Sequence, residues 1–251
     1  MIPVFRKLRK QLADENRFLK YWRYALGEIV LVVIGILIAL QINNWKDERK
    51  EEKEILNYIQ SIKKDIQADI ALFAEISNSL NEQIISGKYI VPIMESENPK
   101  IQDSLDFILK FNDMTTASII TKHNTTWDYV NSSGVISKID DPKINELLQN
   151  YYRRLNSLIE NYNQSAIPAR LEIRRLKYEL FEDREHRKFF PTDDPTVPGK
   201  QVYSALLEDD RILPLCRFIG GGSAVYYERS FQNINIVAQD VLHYLDENYP
   251  Q

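Results

Sequence analysis

The sequence predicts an all-α protein in which a single N-terminal transmembrane helix continues into a stalk and an antiparallel extracytoplasmic helical bundle. The first observation behind this prediction is an uninterrupted apolar run of twelve residues, from Ile29 to Leu40. The second is the three- and four-residue spacing of apolar side chains along most of the chain after it, which is typical of helices with one buried face. The third is that the sequence contains no convincing strand alternation or two-residue hairpin turn.

The apolar run predicts a transmembrane helix over residues 25–44. Twenty residues of helix span about 30 Å, which matches the hydrocarbon thickness of a bilayer. Trp22 and Tyr24 on one side and Trp45 on the other fall where interfacial aromatic anchors belong. A cleaved signal peptide is the alternative, but no small-residue cleavage site follows the run, so we expect an uncleaved anchor.

Charge asymmetry predicts the orientation of this helix. Seven Lys and Arg residues and two acids precede Ala25, whereas residues 46–54 carry four basic and five acidic residues. The positive-inside rule therefore places residues 1–24 in the cytoplasm, the anchor over residues 25–44 in the inner membrane and residues 45–251 in the periplasm. The basic segment is either an amphipathic helix on an anionic leaflet or a plain positive flank. The chain has a net charge of −4 and this segment +5, so the remainder carries −9 and is not expected to bind nucleic acid.

Residues 45–251 are long enough to form one periplasmic domain with its own core. The spacing predicts a first long helix from Trp45 to Ile85, with Gly87 and Pro92 marking its end or a break soon after. A second long helix begins at Asp141 and Pro142, an N-cap followed by proline at the first helical position. We expect Pro168 to kink it. Shorter elements follow the same patterns: helices over Gln102–Phe111, Ala117–Ser132 (stopped by Gly134) and Ser223–Asn248, and a loop over Phe189–Lys200.

Two blocks of the sequence resemble a known family. The first runs from Tyr24 to Trp45 (YALGEIVLVVIGILIALQINNW), after a short basic tail and before Lys46-Asp-Glu-Arg49. The second, weaker block comprises Trp127–Ile136 (WDYVNSSGVI) and the pair Tyr151 and Tyr152. These blocks resemble an uncharacterised family of single-pass membrane proteins of Gram-negative bacteria. The resemblance implies an anchor, an orientation and a helical domain, and it carries over no catalytic residue.

The residues that usually carry chemistry form no recognisable motif. The three histidines, His123, His186 and His243, lie far apart and have no metal-ligand spacing. The Gly220–Ser223 segment lacks the lysine of a phosphate-binding loop and predicts a turn before the last helix. Thr192–Pro195 lacks the acidic alternation of a calcium loop. Cys216 is the only cysteine and is expected to be a buried thiol. We therefore expect no catalytic residue, no cofactor site and no metal site.

The predicted anchor carries one unusual stripe. At 100° per residue, five side chains fall on one face: Glu28, Val32, Gly35, Ala39 and Ile42. Gly35 and Ala39 form a small-xxx-small pair, which allows a second helix to approach closely. Glu28 either faces a partner helix as a proton-linked carboxylate or reaches the headgroups beside Lys20 and Arg23.

These observations predict a membrane-anchored periplasmic protein that acts as a non-catalytic interaction or scaffold subunit. Its expected partners are the lipid bilayer and either a second copy of the chain or another membrane protein. A periplasmic ligand sensor that relays to a separate partner is the first alternative. A proton-linked, stator-like subunit that uses Glu28 is the second.

Overall fold

The structure, a computed structural model, describes residues 18–116, 119–180 and 200–250. These residues are helical nearly throughout and include no strand, so the predicted all-α class is confirmed. The chain divides into two compact units that each have mostly internal contacts, with the boundary between Asn57 and Tyr58. The predicted loop at Phe189–Lys200 falls almost entirely outside the described residues. The basic tail up to Arg17 also lies outside them, and so do His186 and Thr192–Pro195.

Helix α1, Phe18–Glu95, includes both the apolar run and the first predicted long helix. It continues through Gly87 and ends three residues after Pro92. Gly87 is therefore not a stop signal. Its Cα lies so close to the backbone of Gly220 that an added Cβ would come within 2.5 Å of the Gly220 Cα. Glycine is needed here for close helix approach.

The helices after α1 are short except for two long runs. Their bounds are α2 Ser104–Thr115, α3 Thr125–Ser132, a 3₁₀ turn Val135–Lys138, α4 Pro142–Asn161, a π turn Tyr162–Ala166, α5 Ile167–Leu180, α6 Lys200–Glu208, α7 Ile212–Arg217, a π turn Phe218–Ser223 and α8 Ala224–Asn248. Asp141 caps α4 as predicted, and its carboxylate accepts from the backbone of Lys143 and Ile144. Gly134 follows α3 with a φ of +76°, a left-handed conformation that favours glycine.

The two π turns lie where the sequence predicts a kink and a loop turn. The interruption expected at Pro168 is the π turn just before it, where a wider turn accommodates a residue without an N–H. The Gly220–Ser223 segment is not a loop turn, because it lies inside the π turn that joins α7 directly to α8. The bundle is therefore built around three long helical runs rather than two: α1, α4–α5 and α7–α8.

Side-chain contacts fix the directions of these runs in the unit from Tyr58 onward. Asp69 contacts Tyr151, and Gln83 contacts Arg170, so α1 and α4–α5 run parallel. Lys63 pairs with Asp246, and Phe73 packs on Phe231, so α8 runs antiparallel to α1. The predicted stripe of α1 is buried at Ile59, Ile62, Ile66, Phe73 and Leu80. A second apolar cluster around Ile90, Phe107, Phe111, Ile173 and Cys216 fills the space between the end of α1 and α2, α5 and α7.

Candidate functional site

The most unusual group in the bundle is a carboxylate buried on α1. Asp69 is completely buried. The Tyr151 hydroxyl of α4 donates to its Oδ2 at 2.8 Å, and Nδ1 of His123, in the loop before α3, lies 3.0 Å from its Oδ1. Because the carboxylate can only accept, that ring nitrogen carries the proton of the bond. The His123 side chain is 49 % exposed, so the group joins a buried acid to a base that solvent can reach.

Aromatic rings pack around this group and fix its position. Tyr152 is buried, stacks on the Trp127 ring with centroids 4.9 Å apart, and meets Tyr151 edge to face at the same distance. Its hydroxyl has no hydrogen-bond partner among the described residues. The two parts of the second block of the resemblance, which hold Trp127 and the tyrosine pair, therefore meet in space beside Asp69. We call Asp69, His123, Tyr151 and Tyr152 the carboxylate cluster.

The electrostatics of the carboxylate cluster follow from burial. Burial raises the pKa of Asp69, against the hydrogen bonds from Tyr151 and His123, which lower it. Burial together with the charge of Asp69 raises the pKa of Tyr151. Burial together with the charges of Asp65, Asp69 and Asp128 raises the pKa of Tyr152. Both tyrosine hydroxyls therefore remain protonated, and that of Tyr151 donates to Asp69.

A second buried polar group lies where α1, α5 and the π turns meet. The guanidinium of Arg170 is fully buried and donates to the Ala166 carbonyl at 2.8 Å and to the Gln83 side chain. Ser223 accepts a longer contact of 3.4 Å. All three partners are neutral, and Nε has none among the described residues. Burial lowers the pKa of Arg170, and the ring of Tyr162 faces the cation at 6.0 Å.

The apolar segment of α1, over residues 25–44, belongs to the first unit. It forms the one helical stretch among the described residues that is long and apolar enough to cross a membrane, and its central window is entirely exposed. Trp22, Tyr24 and Trp45 are each more than half exposed. A Cβ added at Gly35 would meet nothing within 4 Å. The segment is compatible with a single-pass membrane anchor. The contact stripe of Glu28, Val32, Gly35, Ala39 and Ile42 remains a prediction.

The other residues considered from the sequence do not join either buried group. His243 is exposed and lies 3.2 Å from Glu247 one turn later. Cys216 is a buried thiol, as predicted, and burial raises its pKa to about 12. Within the described residues, no three His, Cys, Asp or Glu side chains could hold a metal ion. Trp127 also lines an open polar groove with Asn131, Gln149 and Arg153.

Sequence reasoning missed the polar members of these groups. Asp69, Gln83 and Arg170 lie on the buried sides of their helices, between apolar residues at helical spacing. The signal was available for Asp69, which lies three residues after Ile66 and four before Phe73 on the predicted stripe. A polar residue on such a stripe indicates a buried partner, because an unpaired charge in a core is strongly unfavourable.

Searches among curated proteins and among solved structures gave no match. The model of one protein family, described as a family of unknown function (DUF6090), matches residues 28–169. This range is more than half of the chain and includes most of the apolar segment and the whole carboxylate cluster. It ends one residue before Arg170. The resemblance to an uncharacterised family is thereby confirmed, and the chain belongs to the DUF6090 family.

Proposed function

We propose that this protein is a single-pass protein of the Gram-negative inner membrane whose helical domain lies in the periplasm and acts as a non-catalytic interaction subunit. The observation that carries the proposal is the exposed apolar segment of α1. Every residue from Ile29 to Leu40 is exposed, and ten of these twelve are large apolar residues. At about 1.5–3 kcal/mol for each such side chain, covering them is worth on the order of 20 kcal/mol. A bilayer supplies that cover.

Membrane fractionation and topology reporters test the anchor and its orientation. Alkaline phosphatase fused after Gln251 should be active, because this reporter folds outside the cytoplasm, and a fluorescent protein at the same position should remain dark. The full-length chain should stay in the membrane pellet after a carbonate wash. Recovery of the chain in the soluble fraction, or the reverse reporter pattern, would contradict the proposal.

The interaction role is supported by the stripe that contains Gly35 and Ala39. A second helix can approach closely at small residues, and a Cβ at Gly35 has open space around it. We expect Gly35→Leu to abolish self-association or the capture of a membrane partner, measured by light scattering and mass spectrometry after mild-detergent purification. Gly27→Leu is the matched control, because Gly27 lies about 80° around the helix from Gly35 and is equally open. Equal association of both variants with the wild type would rule out this contact face.

A sensor that relays to a separate partner is the second candidate, favoured by the carboxylate cluster. The cluster places a buried acid of α1 in contact with a half-exposed histidine, and α1 also carries the apolar segment. The stator-like alternative depends on Glu28 alone. Full function of a Glu28→Gln variant would remove it.

A further inference from the structure

Acidic and neutral polar groups from α1, α3 and α4 surround Asp69. Its own helix contributes Asp65, α3 contributes Asp128 beside Tyr152, and α4 contributes the neutral hydroxyls of Tyr151 and Tyr152. No lysine or arginine of the described residues forms an ion pair with Asp69. The basic side chain on it is His123, and histidine is the residue whose charge changes between about pH 5 and 8.

We propose that Asp69 and His123 form a proton-binding site through which the helical domain responds to acidification. With a neutral imidazole, the pair holds one negative charge in a buried position that only neutral donors stabilise. One proton, entering through the exposed edge of the imidazole, makes the pair neutral overall. It does so equally as an imidazolium with a carboxylate or as an imidazole with a carboxylic acid.

The structural consequence falls on residues 119–124, the loop that carries His123. Asn163 holds this loop through the backbone of Ile120. The Ile120 N–H donates to Oδ1 of Asn163 at 3.4 Å, and Nδ2 of Asn163 donates to the Ile120 carbonyl at 3.2 Å. Lys122 adds a bond of 2.7 Å to Asn156. These contacts tie the loop to α4 and the π turn after it. His123 is the residue of this loop that bonds to Asp69 of α1, through its side chain and its backbone, so protonation of the pair changes the attachment of the loop to α1.

The expected direction of the pH effect follows from the raised pKa of Asp69. A carboxyl whose pKa is higher in the folded than in the unfolded protein contributes its full stability below the unfolded value of about 4, and that contribution is lost as pH rises through the folded value. The wild type should therefore gain stability relative to Asp69→Asn as pH falls through the folded pKa of Asp69. Asn can accept from Tyr151 and donate to the imidazole, so the variant keeps the shape of the site.

The experiment is an NMR titration of the imidazoles in the full-length, detergent-solubilised protein, with the melting temperature recorded at each pH. The chain has three histidines, so His123→Gln and His243→Gln assign the signals. We expect the pH dependence of the His123 signal to change in Asp69→Asn, because its Nδ1 lies 3.0 Å from the Asp69 carboxylate. The wild-type melting temperature should rise by about 3 °C relative to Asp69→Asn and to His123→Gln on acidification from pH 7.5 to about 4. His243→Gln should follow the wild type throughout.

Two results would overturn the proposal. One is a His123 signal whose pH dependence is the same in Asp69→Asn and the wild type, which would mean that the two groups do not share a proton. The other is an equal pH response of the melting temperature in His123→Gln and the wild type. His123→Gln keeps a donor toward Asp69, so it decides the question even where Asp69→Asn does not fold. The proposal does not depend on the membrane orientation, and topology results leave it unaffected.

Discussion

Arg170 shows how a single side chain can hold several elements together without an opposite charge. Its guanidinium joins α1 through Gln83, the first π turn through Ala166 and the second through Ser223. The planar fork of arginine reaches several acceptors at once, whereas the ammonium of lysine acts as a single point. The group therefore depends on the shape of arginine more than on its charge.

We expect Arg170→Lys to lower the free energy of unfolding by about 2 kcal/mol, because bonds to Gln83 and Ala166 are lost while a charge stays buried. Chemical denaturation followed by circular dichroism measures the change. Arg174→Lys, one turn later on the exposed side of the same helix, is the control and should be neutral. Equal stability of the two variants would show that the fork is not needed.

Asp141 combines two roles at one position. It caps α4, and the hydroxyls of Tyr244 and Tyr249 in the C-terminal segment donate to it at 2.9 and 2.8 Å. Burial acts to raise its pKa, but the bonds from Tyr249, Ile144, Tyr244 and Lys143 outweigh burial, so the pKa of Asp141 lies below its usual value. Its contribution to stability is therefore present above about pH 4 and is lost as pH falls through the lower folded value, opposite in sign to that of Asp69.

Replacing Asp141 with alanine should lower the free energy of unfolding by about 1–2 kcal/mol at pH 7, since the cap is lost. The loss should shrink as the sample is acidified below pH 4. Asp140→Ala, at the exposed neighbouring position, should have little effect at either pH. Denaturant titrations at pH 7 and pH 3 provide the comparison, and an unchanged difference at the lower pH would contradict the assignment.

At the level of elements, α1 approaches the second π turn so closely at Gly87 and Gly220 that neither position has room for a Cβ. Backbone lies on both sides of this contact, so neither side can relax by rotating a side chain. We expect Gly87→Ala to lower the free energy of unfolding by about 1–3 kcal/mol. Gly221→Ala is the control, because a Cβ there meets nothing within 4 Å. Thermal melts of the two variants test this, and equal melting temperatures would contradict the close approach.

The same contact shows why helix existence was predictable and helix boundaries were less so. Periodicity identified α1, α4 and α8, because each buries one apolar face of its own sequence. It could not separate a glycine that ends a helix from one that lets two helices touch, since the reason for Gly87 lies 133 residues away at Gly220. The π turns were missed for a related reason: a π turn shifts the helical register, and its geometry depends on what packs against it.

The candidate site was predictable only in part. The tyrosine pair and Trp127 stood out in the sequence, but their common target, Asp69, lies 82 residues before Tyr151. Spacing rules act within a helix and do not connect side chains on different ones. Arg170 was hidden in the same way, because a charge on a helix is exposed far more often than it is buried.

For the whole molecule, the division at Asn57 and Tyr58 indicates that the bundle holds its own core. We expect a chain that begins at Lys46 to be soluble in water and helical by circular dichroism, since it lacks the exposed apolar segment. A chain that lacks only residues 1–24 keeps that segment and should remain in the membrane fraction. Aggregation of the shorter chain, or solubility of the longer one, would contradict this division of roles.

The C-terminal end of α8 also closes the bundle onto its earliest helix. The carbonyl of Tyr249 accepts bonds from Gln60 at 3.1 Å and Lys63 at 3.3 Å, across 189 and 186 residues of chain. These contacts cannot form until Tyr249 has left the ribosome, so the bundle reaches its final form only after α8 has been synthesised. Until then, the apolar face of α1 that α8 covers stays open and is prone to aggregation.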